Sequence, residues 1–230
     1  MSLYQRRGED GRTIQRWWNF ARQPFLSGAV SGLAGLALLL TVSSCELPTD
    51  SRPEPAAGVR FPLESWRLTQ DFGVWNNSWG GYHLAEDVAA SGGDPLYAMA
   101  DGVVRGAFTE VQGYGAVMLI EHRFADEFVV SLYGHVSTRR GFEVAPGEPV
   151  TKGDLVGYIA DDDEDGGSWP PHLHFGIRKG PYSLEERICD LWLYVGYTRS
   201  CEEITHEEYL ELWYDPTDFI LGRVGPLAAP

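Results

Sequence analysis

The chain has 230 residues, of which 43% are hydrophobic, 22% charged and 13% aromatic. These proportions exclude wholesale disorder, and the length has room for one domain with a further small element. The formal net charge of −15 argues against a nucleic-acid partner, because affinity for the phosphate backbone comes largely from Lys and Arg. Three cysteines are too few for a disulfide scaffold.

The first 44 residues have the pattern of an export signal. Five arginines precede residue 25, residues 25–40 are apolar or small without a charge, and Val-Ser-Ser leads to Cys45. Residues 42–45 resemble the lipobox of bacterial lipoproteins, which implies a signal peptide over residues 1–44 and a lipid anchor on Cys45. The alternative is an uncleaved signal-anchor helix, since the apolar stretch is at the lower limit for a bilayer of ~30 Å. Both place the remaining chain in the cell envelope outside the cytoplasm, at an outer membrane or a periplasmic face.

The mature chain begins with a proline-containing tether over residues 45–60. From Phe61 onward, short runs of β-branched and aromatic residues alternate with glycine turns, which predicts an all-β, antiparallel sheet folded on itself. The clearest predicted strands are Gly102–Phe108, Ala116–Glu121, Phe128–Val136 and Leu155–Ala160.

Residues 182–213 are predicted to form an inserted, partly helical lobe between the main domain, 61–181, and a closing strand and tail, 214–230. A capping-box spacing predicts a helix over Thr205–Tyr214. Cys189 and Cys201 are expected to form a disulfide, because the bridge can persist in an oxidising compartment; two free thiols are the alternative. We expect this lobe to shape a groove without holding the core together.

Histidine patterns carry the chemistry. His83 and Asp87 are four residues apart, which places them near one face of either a strand or a helix. His172 and His174 are two residues apart in an apolar run, so in a strand both imidazoles would face the same side. Two histidines and one aspartate would leave a tetrahedral zinc with an open position for water, the layout of a catalytic site.

The order of the motifs strengthens this interpretation. His83-x3-Asp87 is followed by Ala-Met-Ala-Asp-Gly-Val-Val at 98–104, Tyr-Gly-His at 133–135, a Val-Thr-Lys-Gly-Asp-Leu-Val-Gly turn at 150–157 and His-Leu-His-Phe at 172–175. The series resembles the lysostaphin/LytM-type zinc endopeptidases over about residues 61–182. That resemblance implies a small antiparallel β-sheet domain with an open groove, of the duplicated-hybrid-motif type.

The resemblance also implies roles for individual residues. His83, Asp87 and His174 would ligate zinc, while His135 and His172 would activate the water and steady the tetrahedral intermediate. It implies hydrolysis of peptide bonds in peptidoglycan. Ala85 departs from the family's usual glycine, which costs stability only if the position needs a positive φ.

Two alternative functions remain open. One is a catalytically silent envelope scaffold or an activator of another wall hydrolase, although all five motif positions are filled here. The other is a zinc peptidase with a non-wall protein substrate. A serine hydrolase of the nucleophile-elbow type is not supported, because the sequence contains no Gly-x-Ser-x-Gly.

Overall fold

The computed structural model describes residues 58–125, 127–164 and 169–223. The signal segment 1–44, the proposed lipidation site Cys45 and the tail 224–230 lie outside these residues. Within them, no helix is long and apolar enough to cross a membrane.

The described residues form fourteen strands and two helices. The strands are β1 (Leu68–Gln70), β2 (Trp75–Asn76), β3 (Gly81–Tyr82), β4 (Glu86–Ala89), β5 (Pro95–Tyr97), β6 (Gly102–Val111), β7 (Gly115–Phe124), β8 (Glu127–Gly134), β9 (Pro149–Val150), β10 (Leu155–Tyr158), β11 (His172–Lys179), β12 (Arg187–Ile188), β13 (Leu191–Trp192) and β14 (Trp213–Tyr214). The helices are α1 (His206–Leu210) and α2 (Pro216–Leu221).

An eight-stranded antiparallel sheet organises the domain. Its order is β1-β4-β11-β8-β7-β6-β9, and β14 is a third partner of β11, paired with the far end of that strand. The four predicted strands are all present, with ends shifted by a few residues. The predicted all-β, antiparallel fold class is therefore confirmed.

The central strands are buried on both faces. Along β7, Met118 and Ile120 belong to one hydrophobic cluster, while Val117 and Leu119 belong to a second cluster on the opposite face. This alternation follows from the two-residue period of a strand. Phe175 of β11 extends the first cluster beneath the sheet.

Much of the second cluster is supplied by the lobe. Leu193, Tyr194, Tyr209 and Trp213 are almost completely buried there, beside sheet residues such as Leu132. The outer face of the sheet is itself apolar and needs a cover. The lobe supplies that cover.

The predicted disulfide between Cys189 and Cys201 is present, with its Cα atoms 5.7 Å apart. Cys189 and Asp190 connect β12 to β13 as a two-residue loop, with φ values of 53° and 60°. Two positive φ values are the geometry of a type I′ turn, whose twist matches that of the flanking strands. The bridge therefore ties a tight hairpin to the segment that precedes α1.

The C-terminal elements differ from the predicted boundaries. The capping box forms between Thr205 and Glu208, but α1 ends at Leu210, because Trp213 is drawn into the sheet opposite Arg178. The predicted closing strand contributes only Trp213–Tyr214. Asp215 then caps α2, whose first residue, Pro216, loses nothing because its missing N–H would have no helical partner.

Candidate metal centre

Three side chains converge where β4 and β11 pair. Asp87 lies directly opposite His174 in the register, and Oδ1 of Asp87 is 2.9 Å from Nδ1 of His174. Nε2 of His83 is 3.1 Å from the same histidine nitrogen and 3.3 Å from Oδ1 of Asp87. Each residue thus offers one possible ligand atom to a single point.

A backbone contact orients His83. Its ring is completely buried, and Nδ1 lies 3.1 Å from the carbonyl oxygen of Asp71. A carbonyl can only accept, so Nδ1 carries the proton and Nε2 presents its lone pair to the centre. Such an outer contact is typical of histidines that bind metals.

Tyr114 contacts the ring of His174 on the side away from the centre, as the carbonyl of Asp71 does for His83. The sequence analysis did not identify this tyrosine. The Tyr114 hydroxyl lies 3.4 Å from Nε2 of His174, and the phenol is buried. Two glycines make room for it: a Cβ on Gly134 would lie 2.7 Å from the phenol ring, and one on Gly196 would lie 2.9 Å from the hydroxyl. In the sequence, the only signal is a tyrosine in a glycine-rich hairpin turn.

The protonation states suit a cation. Burial lowers the pKa of His174 to about 4, although the Asp87 carboxylate, which can accept a hydrogen bond from the protonated ring, acts to raise it; the imidazole is therefore neutral at pH 7. Burial acts to raise the pKa of Asp87, but hydrogen bonds with His174 and His83 outweigh it and hold the pKa well below its usual range. A metal needs this combination of neutral imidazole and ionised carboxylate.

The geometry of the donor set also fits a metal. The three ligand atoms lie within 4.8 Å of one another. Ligands at 2.0–2.1 Å from a tetrahedral zinc are themselves roughly 3.3 Å apart, close to the observed spacings. Two imidazoles and one carboxylate are a donor set that zinc accepts, with a fourth position left for water.

His135 and His172 lie beside this cluster, with their ring centroids 4.2 Å apart. Nδ1 of His172 is 2.8 Å from the carbonyl oxygen of Pro170, so its Nε2 is the nitrogen turned toward Asp87, 3.8 Å away. The structure therefore brings together all five residues that the sequence singled out.

His135 reaches this position through an unusual backbone conformation. We predicted it within a strand, but β8 ends at Gly134, and His135 has a φ of 59°. A non-glycine residue in this left-handed region costs on the order of 1–3 kcal/mol. The turn brings its ring beside that of His172 instead of continuing along the sheet.

The remaining histidines are held elsewhere. His122 is completely buried, with Nδ1 3.0 Å from the carbonyl of Asp101 and Nε2 2.7 Å from the hydroxyl of Ser131. His206 begins α1 and contacts the hydroxyl of Thr198 at 2.7 Å. It is half-buried.

Ala85 proves compatible with its site. It is completely buried and is absent from the described residues with a positive φ. The backbone therefore does not require glycine here, and the methyl group contributes to packing.

An open groove of about 490 Å³ runs over the centre. Asp87, His135, His172 and His174 lie along it. The lobe supplies much of the remaining wall, including residues 191–192, residues 194–197 and Arg199. The lobe thus shapes the groove, as expected from the sequence, in addition to covering the sheet.

Comparison with known proteins identifies relatives for this region. Residues 81–186 match the family model described as Peptidase family M23. The chain is 29% identical over 170 residues to the DD-carboxypeptidase/endopeptidase Mpg of Neisseria meningitidis serogroup B, which is 74% of this chain and 29% of that protein. It is 33% identical over 141 residues to the Murein hydrolase activator NlpD of Salmonella dublin, which is 57% of this chain and 33% of that protein.

The chain therefore spans a third or less of the length of these curated relatives. Among solved structures, lysostaphin from Staphylococcus simulans is similar, with a TM-score of 0.49 and 20% identity. That match covers 76% of this chain and 60% of the other.

Proposed function

We propose that this chain, whose residues 81–186 belong to peptidase family M23, is a zinc endopeptidase that hydrolyses peptide bonds in bacterial cell-wall peptidoglycan. One observation carries the proposal. Nε2 of His83, Oδ1 of Asp87 and Nδ1 of His174 converge on one point, beside a second histidine pair in an open groove.

His83, Asp87 and His174 would hold the metal. A zinc ion bound there supplies a Lewis acid and lowers the pKa of a bound water to roughly 7. The protein's own contribution is to fix the ligand atoms in advance, through the carbonyl of Asp71 behind His83 and the hydroxyl of Tyr114 behind His174.

His172 and His135 would handle the proton and the developing charge. Because Nδ1 of His172 donates to the carbonyl of Pro170, its Nε2 carries the lone pair that would accept a proton from a water in the groove. His135, held against it at 4.2 Å between ring centroids, is placed to donate a hydrogen bond to the reacting carbonyl oxygen.

The substrate class rests on the relatives. One is called a DD-carboxypeptidase/endopeptidase, and another is called a murein hydrolase activator. We infer from these names, together with the groove, that the substrate is a peptidoglycan peptide and that the protein acts in the cell envelope. The lipid on Cys45 belongs to the same proposal.

The relation to an activator also supports a second candidate function. At 33% identity to the murein hydrolase activator, the chain is a candidate regulator of another wall hydrolase. We favour catalysis because His83, Asp87 and His174 converge at ligand spacing and His135 and His172 lie beside them.

Zinc content and product analysis together test the proposal. The full-length chain should bind about one zinc per molecule and release new amino termini from purified peptidoglycan, and chelation should stop the release. The variant His206→Gln is a matched control, because this histidine is not among the three proposed ligands or the neighbouring pair His135 and His172. Zinc binding without any new amino termini would contradict the peptidase and favour the activator.

A further inference from the structure

The lobe runs alongside the metal centre as an added backbone segment. His83 and Tyr197 form an antiparallel bridge, and the amide of Leu84 donates to the carbonyl of Gly196 at 3.0 Å. The rings of His83 and Tyr197 are 5.1 Å apart. The course of this segment is therefore fixed relative to a proposed metal ligand.

Arg199 follows Tyr197 by two residues and lines the same groove as Asp87 and His174. Two residues of extended chain span roughly 7 Å. The same length corresponds to about two residues of an extended substrate peptide. A group that meets Arg199 would therefore be within a few residues of the bond positioned at the centre.

Backbone carbonyls hold one nitrogen of the Arg199 guanidinium, which leaves the edge formed by Nε and Nη2 for a ligand. Nη1 of Arg199 donates to the carbonyl of Trp79 at 2.8 Å and contacts the carbonyl of Thr198 at 3.4 Å. For the residues that the structure describes, no hydrogen bond from Nε or Nη2 is found, and no carboxylate lies within 4.0 Å. These two nitrogens form the planar edge that matches the two oxygens of a carboxylate.

Arg199 has no acidic partner among the described residues, although the chain as a whole carries a net charge of −15. Some arginines of the described chain pair with carboxylates, as Arg105 does with Glu121, whereas others, such as Arg187, donate to backbone carbonyls. Along the described lining of the groove, the only carboxylate is Asp87, which is already engaged with the histidines. The positive charge of Arg199 therefore faces the groove without neutralisation from its walls.

An aromatic pair lies next to this edge. The rings of Trp79 and Tyr197 stack with centroids 5.5 Å apart and an interplanar angle of 12°. Trp79 is 40% exposed, so its indole presents apolar surface at the groove. A flat apolar wall beside a charge suits a small peptide residue that carries a carboxylate.

We propose that Arg199, with the stacked Trp79 and Tyr197, is a subsite for a carboxylate of the substrate peptide. The inference rests on the proposed peptidase function and specifies its substrate class. The carboxylate belongs either to the free C-terminus of the peptide or to an acidic side chain near the cleaved bond. The shared chemistry is a two-oxygen anion that accepts from Nε and Nη2.

Three synthetic peptides of one sequence separate the two sources: one with a free C-terminus, one with a C-terminal amide, and one amide with a single glutamate side chain. Each is tested with the full-length wild type, Arg199→Gln and Arg199→Lys. Arg187→Gln is the matched control, because Arg187 lies in the same lobe and donates to the carbonyl oxygens of Leu184 and Glu186. Dissociation constants are measured calorimetrically in chelator, and kcat/KM is measured with zinc.

Wild type should bind one of the two carboxylate peptides about 10- to 100-fold more tightly than the neutral amide, as a charge-assisted pair predicts. Arg199→Gln should abolish that preference and leave binding of the neutral amide unchanged, whereas Arg199→Lys should retain part of it. The peptide that loses affinity identifies the source of the carboxylate. The subsite is overturned if wild type and Arg199→Gln prefer the carboxylate peptide over the neutral amide to the same extent. It is also overturned if wild type shows no such preference.

The binding assay also separates this inference from the proposed function. An Arg199-dependent preference without cleavage of any peptide by the zinc-loaded protein would contradict the peptidase and leave the carboxylate subsite in place. Cleavage without an Arg199-dependent preference would support the peptidase and contradict the carboxylate subsite.

Discussion

Nδ1 of His174 lies 2.9 Å from Oδ1 of Asp87, and the two residues are exact partners in the register of β11 and β4. Because successive side chains of a strand point to opposite faces, a slip of one residue would turn His174 away from Asp87 and expose Leu173 and Phe175. Burial of those two side chains therefore fixes the register that assembles the centre.

Substitutions of the two histidines on β11 should have different effects. His174→Ala should abolish zinc binding, because two ligands remain where three are needed. His172→Ala should retain the metal and lower kcat by about 10²- to 10⁴-fold, the usual contribution of a proton-transfer group. Zinc analysis and peptide kinetics on both variants check this. Equal loss of zinc in the two would show that the roles are assigned wrongly.

Tyr114→Phe should weaken zinc binding by about 10- to 100-fold, because it removes the oxygen behind Nε2 of His174. Competition with a chelating indicator measures the affinity. Tyr209→Phe is the control: its buried hydroxyl has no hydrogen-bond partner within the described chain, so affinity should stay at the wild-type value. The same loss in both variants would indicate a packing effect.

Stability should fall as the solution is acidified from pH 6.5 toward pH 4. Burial lowers the pKa of His122 to about 4, so between these values the unfolded chain binds a proton that the folded chain excludes. The loss from this residue is on the order of 3 kcal/mol. In chelator, His122→Gln should show a shallower decline in unfolding free energy than either wild type or His206→Gln. Parallel curves for all three would refute the assignment.

Removal of the disulfide should cost stability and leave zinc content intact. The chain-entropy model gives about 3 kcal/mol for a loop of this size. Cys189→Ser/Cys201→Ser should therefore lower the unfolding free energy by up to this amount and alter KM, since the lobe borders the groove. Loss of zinc from the double variant would show that the lobe also maintains the metal centre.

Cys45→Ala should prevent both lipid labelling and lipoprotein-type processing in cells. The protein should then no longer partition with membranes through a lipid. Continued membrane attachment with an intact N-terminus would favour the signal-anchor alternative. Cys189→Ser/Cys201→Ser provides the comparison, because it leaves Cys45 unchanged.

The convergence of the five histidine and aspartate positions could be anticipated because they fall in short motifs. The strands fix only Asp87, His172 and His174, whereas His83 and His135 lie just outside strands. Tyr114 could not be anticipated, since its role depends on a contact between residues 60 positions apart and on room left by Gly134 and Gly196. The early end of α1 was also missed. Its helical pattern is local, whereas the pairing of Trp213 with Arg178 is not.

The lobe fills two roles with nearby residues: Leu193 is buried against the sheet, while Tyr197 and Arg199 line the groove. The residues that we propose select the substrate and the residues that cover the sheet therefore lie in the same short stretch of chain. Exchanging this stretch for that of another peptidase would transfer the groove wall only if the incoming sequence also matched the apolar surface beneath it. New specificities should consequently arise more readily by point substitution at residues 197 and 199 than by replacement of the whole lobe.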